Sequence, residues 1–171
     1  APRFQLKLVT IDGEPYRDMH GVLIEPHGAA TDYPAPDLVI VPEVAIDPWK
    51  PLPNSFAAAA DWIRSAHGNG ALVASLCSGS VLLCETGLLE GEEATSHWGY
   101  CDAIARRHPG IRIRKERMLV PAGEGHRLIT TGGSDFHGQA VIPERRMGDA
   151  RVPMHCVRAL ERERERIRAE A

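Results

Sequence analysis

"ASLCSGSVLLCETGLL", residues 74–89, decides the fold of this chain. Its first residues close a nearly unbroken apolar run, "ALVASL" (71–76), and an apolar pattern of helical period opens three residues after Cys77. A short β-branched and apolar run suits a strand buried on both faces. A cysteine flanked by Ser78, Gly79 and Ser80 therefore stands where a strand turns into a helix. Helix N-termini present unpaired N–H groups and the positive end of the macrodipole, and both favour a thiolate. Small neighbours permit a sharp turn and let a substrate approach those N–H groups, as in an oxyanion hole. Cys77 is the candidate nucleophile of such an elbow. The competing reading is a small buried hydrophobe, which most unpaired cysteines are. Cys84 falls on the apolar face of the same helix and is assigned to the core; Cys101 and Cys156 have no comparable context.

Working outward, strands and helices alternate. "FQLKLVT" (4–10) alternates apolar and polar residues and ends at a turn signal, and "GVLIEPHGA" holds a second short strand. "DLVIVP" (37–42) reads as a buried parallel strand, and the Pro-rich "EVAIDPWKPLP" after it as loop. Asn54 is placed to cap the helix "SFAAAADWIRSAHG", which ends at Gly68 or Gly70. "VLLCETGLL" is the next helix, "EATSHW" a short strand and "GYCDAIARRHPG" a third helix, with His108 at its closing turn. "IRIRKERMLVPAG" and "HRLITTGG" look like paired strands. This alternation implies a mostly parallel sheet covered on both faces, a three-layer α/β sandwich. In such sheets the ligand site lies outside the carboxyl ends of the strands, which puts Cys77 at the functional edge. His97 also lies just past a predicted strand and before a helix, and is the candidate base.

The bulk numbers bound the answer. A chain of 171 residues that is 43% hydrophobic makes one domain with a proper core. A net charge of −3 argues against a nucleic-acid surface over the whole chain. No apolar run approaches a membrane span and no signal peptide opens the sequence, so a cytoplasmic protein is the default. The four cysteines form no CxxC pair and no zinc-spaced cluster, so neither metal nor cofactor is expected. From Val141 onward arginine becomes dense, and residues 141–171 read as an Arg/Glu-rich, partly helical tail to a domain over 1–140.

The run from "VASLCSGS" through "ATSHWGY" to "RHPGIRI" and "TTGG" resembles the ThiJ/PfpI-type branch of the class I glutamine amidotransferase-like superfamily. It is most similar to the version found as the N-terminal domain of AraC-type transcriptional regulators. Cys77, Gly79, Gly87, Leu88, Leu89, Gly91, Ala94, Thr95, His97, Trp98, Pro109, Thr131, Gly132 and Gly133 carry the resemblance, which covers residues 37–133. It implies a flavodoxin-like fold, a site at Cys77 and His97, and ligand-binding positions at Ser78, Gly79, Thr131, Gly132 and Gly133. It also exposes departures. The chain starts after the family's first strand and helix, the segment that brings a carboxylate to the cysteine; Glu43 is a poor substitute. Glu43 and Val44 replace the usual glycine pair of the oxyanion loop, and Ser78 stands where protease-like members carry His. Arg-rich text replaces the expected apolar helix after "TGGSDFH", as a truncation or frameshift near Gln139 would produce.

Three functions follow from these residues. The first is an effector-sensing domain related to those regulators, binding a small molecule, with no DNA contact by this chain. The second is a cysteine-dependent hydrolase or hydratase, amidase or isocyanide-hydratase-like. The third is an inactive truncated member. Homodimerisation is expected through a sheet edge left open by the missing strand.

Overall fold

A computed structural model describes residues 4–18 and 20–132. Gly133, Cys156, the 1–140 boundary and the 141–171 tail lie outside the described residues.

The chain forms the strands β1 (Val9–Thr10), β2 (Tyr16–Arg17), β3 (Leu23–Ile24), β4 (Gly28–Ala29) and β5 (Leu38–Val41) before its first helix, α1 (Ser55–Gly68). Then come β6 (Leu72–Ser75), α2 (Ser80–Glu85), β7 (Glu93–Ala94), α3 (Cys101–Arg107), β8 (Arg112–Ile113), β9 (Leu119–Ala122) and β10 (Leu128–Thr131). The main sheet has the order β5-β6-β10-β9, with β5, β6 and β10 parallel and β9 antiparallel to β10. Val41, Ser75 and Thr130 stand in register, so the carboxyl ends of β5, β6 and β10 share one edge. The parallel α/β expectation is therefore met, and Cys77 leaves β6 at that edge.

The expected pairing of "IRIRKERMLVPAG" with "HRLITTGG" holds only for its second half. Arg112–Ile113 pairs in parallel with β7 instead, and Arg114 and Arg117 both pair with the Glu93 carboxylate. Pro121 cannot donate to a ladder, and it sits on β9, the edge strand of the main sheet among the described residues.

Helix α1 buries Ala60, Ile63 and Ala66 along one stripe, with Phe56, Ala59 and Trp62 at its margins. Asn54 does not cap it: the residue is itself helical and its side chain makes no capping bond. The first turn is closed by backbone bonds instead, from Phe56 N–H to the Pro53 carbonyl and from Ala57 N–H to the Asn54 carbonyl. At the far end Gly70 adopts φ +106°, and Ala71 N–H and Gly70 N–H return to the carbonyls of Ala66 and His67, both at 3.0 Å. This Schellman geometry needs a left-handed residue, which Gly70 supplies. Helix α2 is shorter than "VLLCETGLL", because Thr86 turns its hydroxyl onto the Leu83 carbonyl and the Leu88 N–H. His108 closes α3, and its Nε2 lies 3.0 Å from Glu85.

The core lies on one side of the main sheet. Val39, Val41, Val73 and Leu128 point into it and meet Ile63, Leu83, Leu89, Ile104 and Ile111. The opposite side is left half-covered among the described residues: Leu38 and Ile40 are 46% and 50% exposed, whereas Val39 and Val41 are 6% and 3% exposed. No helix of the described residues is long and apolar enough to cross a membrane.

Gly79 marks the tightest packing at the functional edge. Its φ is ordinary, but a Cβ there would overlap the Pro42 carbonyl oxygen and lie 2.7 Å from that of Val41. Gly68, in contrast, has open space around its missing Cβ. Gly79→Ala should lower the urea unfolding free energy by about 2 kcal/mol, as overpacking against rigid backbone does. Gly68→Ala should leave it unchanged or raise it by up to about 1 kcal/mol. Equal unfolding midpoints for the two variants would contradict the close approach.

Candidate functional site

Leu76 is the last extended residue of the strand leading to the site, and its N–H bonds the Val41 carbonyl at 2.9 Å. Cys77 then adopts φ +54°. A residue with a side chain costs roughly 1–2 kcal/mol in this left-handed region, so the surroundings must hold it there. A single 3₁₀ turn, Cys77–Gly79, leads directly into α2. This is the sharp strand-to-helix elbow expected from the sequence.

Hydroxyl groups hold the elbow from below. Ser80 and Ser96 are both buried, with their Oγ atoms 2.6 Å apart. The Cys77 carbonyl lies 3.0 Å from Ser80 Oγ and 3.3 Å from Ser96 Oγ. Two hydroxyl protons are available, so one bonds the carbonyl while the other joins the hydroxyls. Since Ser96 precedes His97, the same pair fixes the elbow to the His97 segment. Gly132 completes that junction: a Cβ on it would overlap the Ser96 carbonyl oxygen, and its N–H bonds the Met118 carbonyl at 2.8 Å.

Ser78 holds the elbow from the side. Its Oγ accepts the Val44 N–H and donates to the Val44 carbonyl, both at 2.9 Å. The N–H of the facing loop is therefore already engaged. At Val44, one of the two residues that replace the usual glycine pair, the elbow's own serine takes that donor. Ser78 offers a ligand its backbone rather than its hydroxyl. Thr131 is also turned inward, its hydroxyl donating to the Ser75 carbonyl at 3.1 Å.

His97 lies past β7 and before α3, as expected, and is partly exposed. Its Nδ1 accepts the Gly99 N–H at 3.1 Å. That bond requires a lone pair on Nδ1, so the neutral ring carries its proton on Nε2. The Trp98 and Tyr100 rings lie 5.4 and 5.6 Å from the imidazole, Tyr100 edge-on at 83°.

Tyr100 was not singled out by sequence, although its position three residues after His97, at the start of a helix, carried the signal. Its hydroxyl donates to the Ile46 carbonyl at 2.8 Å. Burial raises its pKa most, and the nearby Cys77 charge raises it next, with Asp47 and Glu43 adding to the effect. Tyr100 thus joins the His97 ring to the loop at Ile46. Ser80 and Ser96 were also missed, as polar residues whose role depends on tertiary contact.

The other described thiols are set apart. Cys84 is buried, and burial pushes its pKa up to about 12. Cys101 is fully buried under the Ser96 and His97 carbonyls, and burial raises its pKa too. Cys77 is only partly buried. Among the described residues no group of three His, Cys, Asp or Glu side chains could hold a metal ion.

Comparison with known proteins agrees with this geometry. The chain is 28% identical to the HTH-type transcriptional regulator CdhR of Pseudomonas aeruginosa over 134 residues, which are 78% of this chain and 38% of CdhR. It is 34% identical to the isonitrile hydratase of Pseudomonas putida over 104 residues, 60% of this chain and 44% of that enzyme. The chain thus spans less than half the length of either protein. An AraC family transcriptional regulator from Pseudomonas putida superposes with a TM-score of 0.59 at 17% identity, covering 77% of this chain and 66% of that one. The profile of the DJ-1/PfpI family matches residues 2–136, and the chain belongs to that family.

Proposed function

We propose that this domain binds a small-molecule effector at Cys77, His97 and Tyr100 and passes the signal to a DNA-reading partner region, as the sensing part of an AraC-type regulator. The observation that carries the reading is the Ser78–Val44 double hydrogen bond, which commits the facing-loop N–H to the scaffold. Transition-state stabilisation in acyl transfer and hydration rests on donors aimed at the developing anion. A site that has tied one of them down retains binding groups and loses catalytic ones. The similarity to CdhR supports a regulatory role, and the ligand then needs only to fit between the thiol, the imidazole N–H and the aromatic rings.

The domain is further proposed to be cytoplasmic and to pair with a second copy. Support comes from the outer edge of β5, unpaired among the described residues, and from the exposed Leu38 and Ile40 beside it. A second reading, a cysteine hydratase, is favoured by one observation: the 34% identity to isonitrile hydratase runs through the elbow's part of the fold.

Two measurements separate these readings. In a Cys156→Ser background, iodoacetamide at pH 7 should modify Cys77 at least about tenfold faster than Cys84 or Cys101, because buried thiols with raised pKa values hold little thiolate. Equal rates would remove Cys77 from the site. In a screen of small metabolites, compounds that raise the melting temperature should also protect Cys77 from iodoacetamide and be recovered unchanged. Cys77-dependent consumption of an isocyanide or amide would overturn the sensor reading in favour of the hydratase.

A further inference from the structure

A cavity of about 340 Å³ lies between α1 and the end of α2. Small-molecule sites span roughly 300–1,000 Å³, so it has room for a compact ligand. One wall is a face of α1, on which Ala57, Ala60, Asp61 and Arg64 recur at spacings of three and four residues. Leu52 and Phe56 add apolar surface, and Glu85, the last residue of α2, adds a carboxylate. None of Cys77, Ser78, His97 and Tyr100 lines this cavity. The elbow feeds the first turn of α2 and Glu85 ends that helix, ~9 Å further along the axis.

Two charged groups of the cavity are fixed as neighbours. Arg64 Nε donates to the Thr86 carbonyl at 2.9 Å, which brings the guanidinium to the residue that follows Glu85. Arg64 Nη1 donates to Asp61 at 2.7 Å, and Nη2 bonds none of the described residues. Glu85 is held through one oxygen: Oε1 lies 3.0 Å from His108 Nε2 and 3.9 Å from Arg107 Nη1. Arg107 is itself fixed by the Pro48 and Lys50 carbonyls. Glu85 Oε2 accepts no hydrogen bond among the described residues. The cavity thus offers one charged donor and one charged acceptor with spare capacity, beside an apolar wall.

The charges narrow the ligand. A simple anion drawn to Arg64 meets Glu85 and Asp61, and a simple cation drawn to Glu85 meets Arg64 and Arg107. A molecule with an ammonium and a carboxylate on one carbon satisfies both groups at once. The small side chains of Ala57 and Ala60 leave space for an apolar substituent on that carbon.

We propose that this cavity is a second small-molecule site, for a free α-amino acid with an apolar side chain. Glu85 Oε2 takes the ammonium, Arg64 Nη2 takes the carboxylate, and the side chain lies over Ala57 and Ala60 against Phe56 and Leu52. The site shares no residue with the thiol and stands whether or not the sensor reading does.

The test is isothermal titration calorimetry of the full chain with L-phenylalanine and L-leucine. At least one should bind with a Kd below about 1 mM. For phenylalanine, 2-phenylethylamine and 3-phenylpropionate each remove one charge, and for leucine, isoamylamine and 4-methylpentanoate do so. Each should bind at least about tenfold more weakly than its amino acid. Ala57→Leu fills the cavity at an exposed helical position, so it should abolish the binding without lowering the melting temperature. Glu85→Gln should weaken it by about tenfold or more, and Ala57→Leu carries the test if Glu85→Gln fails to fold. The amino acid should also leave the alkylation rate of Cys77, read by mass spectrometry of its peptide, unchanged. No binding of either amino acid up to about 10 mM would overturn the proposal. So would undiminished binding in Ala57→Leu, equal binding of a singly charged analogue, or protection of Cys77, which would place the ligand at the thiol.

Discussion

A side chain held at positive φ between a parallel strand and a helix is a constraint that the rest of this molecule is arranged to satisfy. Cys77 bears that constraint, with φ +54°. Its carbonyl is caught by the Ser80–Ser96 pair, its successor Ser78 is locked to Val44, and Gly79 is pressed against the carbonyls of Val41 and Pro42. Each contact draws on a different element: α2, the His97 segment, the loop after β5, and β5 itself. The strain of roughly 1–2 kcal/mol at one residue persists because four neighbours oppose its relief.

The same contacts shape what the site can do. Hydrogen-bond donors used to hold an elbow are not available to stabilise a transition state, and the Val44 N–H is one donor so used. The elbow itself stays sharp and its thiol stays reachable, while the two remaining described thiols are buried with raised pKa values. The outcome is a DJ-1/PfpI domain whose elbow is sharply turned and whose Val44 N–H serves the scaffold.

Much of this was legible in the sequence. The strand-to-helix position of Cys77 followed from one apolar run, one helical pattern and three small residues between them. The parallel sheet followed from alternation, and the core assignment of Cys84 from its place on the helix face. What was not legible depends on contacts between distant segments. Ser78 meeting Val44 spans 34 residues, and Ser80 meeting Ser96 spans 16. No local pattern encodes either pair. Asn54 misled because its type suits a cap, whereas here the backbone is already helical at that residue. "IRIRKERMLV" read as one strand because no Gly or Pro interrupts it, but it serves two partners, β7 and β10.

Strain at Cys77 underlies the elbow, and the stability of two variants at that position measures it directly. Cys77→Gly and Cys77→Ala both remove the thiol, but only glycine is relieved of the left-handed penalty. Elsewhere in a fold glycine is the less stable of the two by roughly 0.5–1 kcal/mol. At position 77 the order should reverse, with Cys77→Gly more stable than Cys77→Ala by about 1 kcal/mol in urea unfolding. A Cys77→Ala variant as stable as Cys77→Gly, or more so, would mean that residue 77 is not held in the left-handed conformation and that the elbow is not built as described.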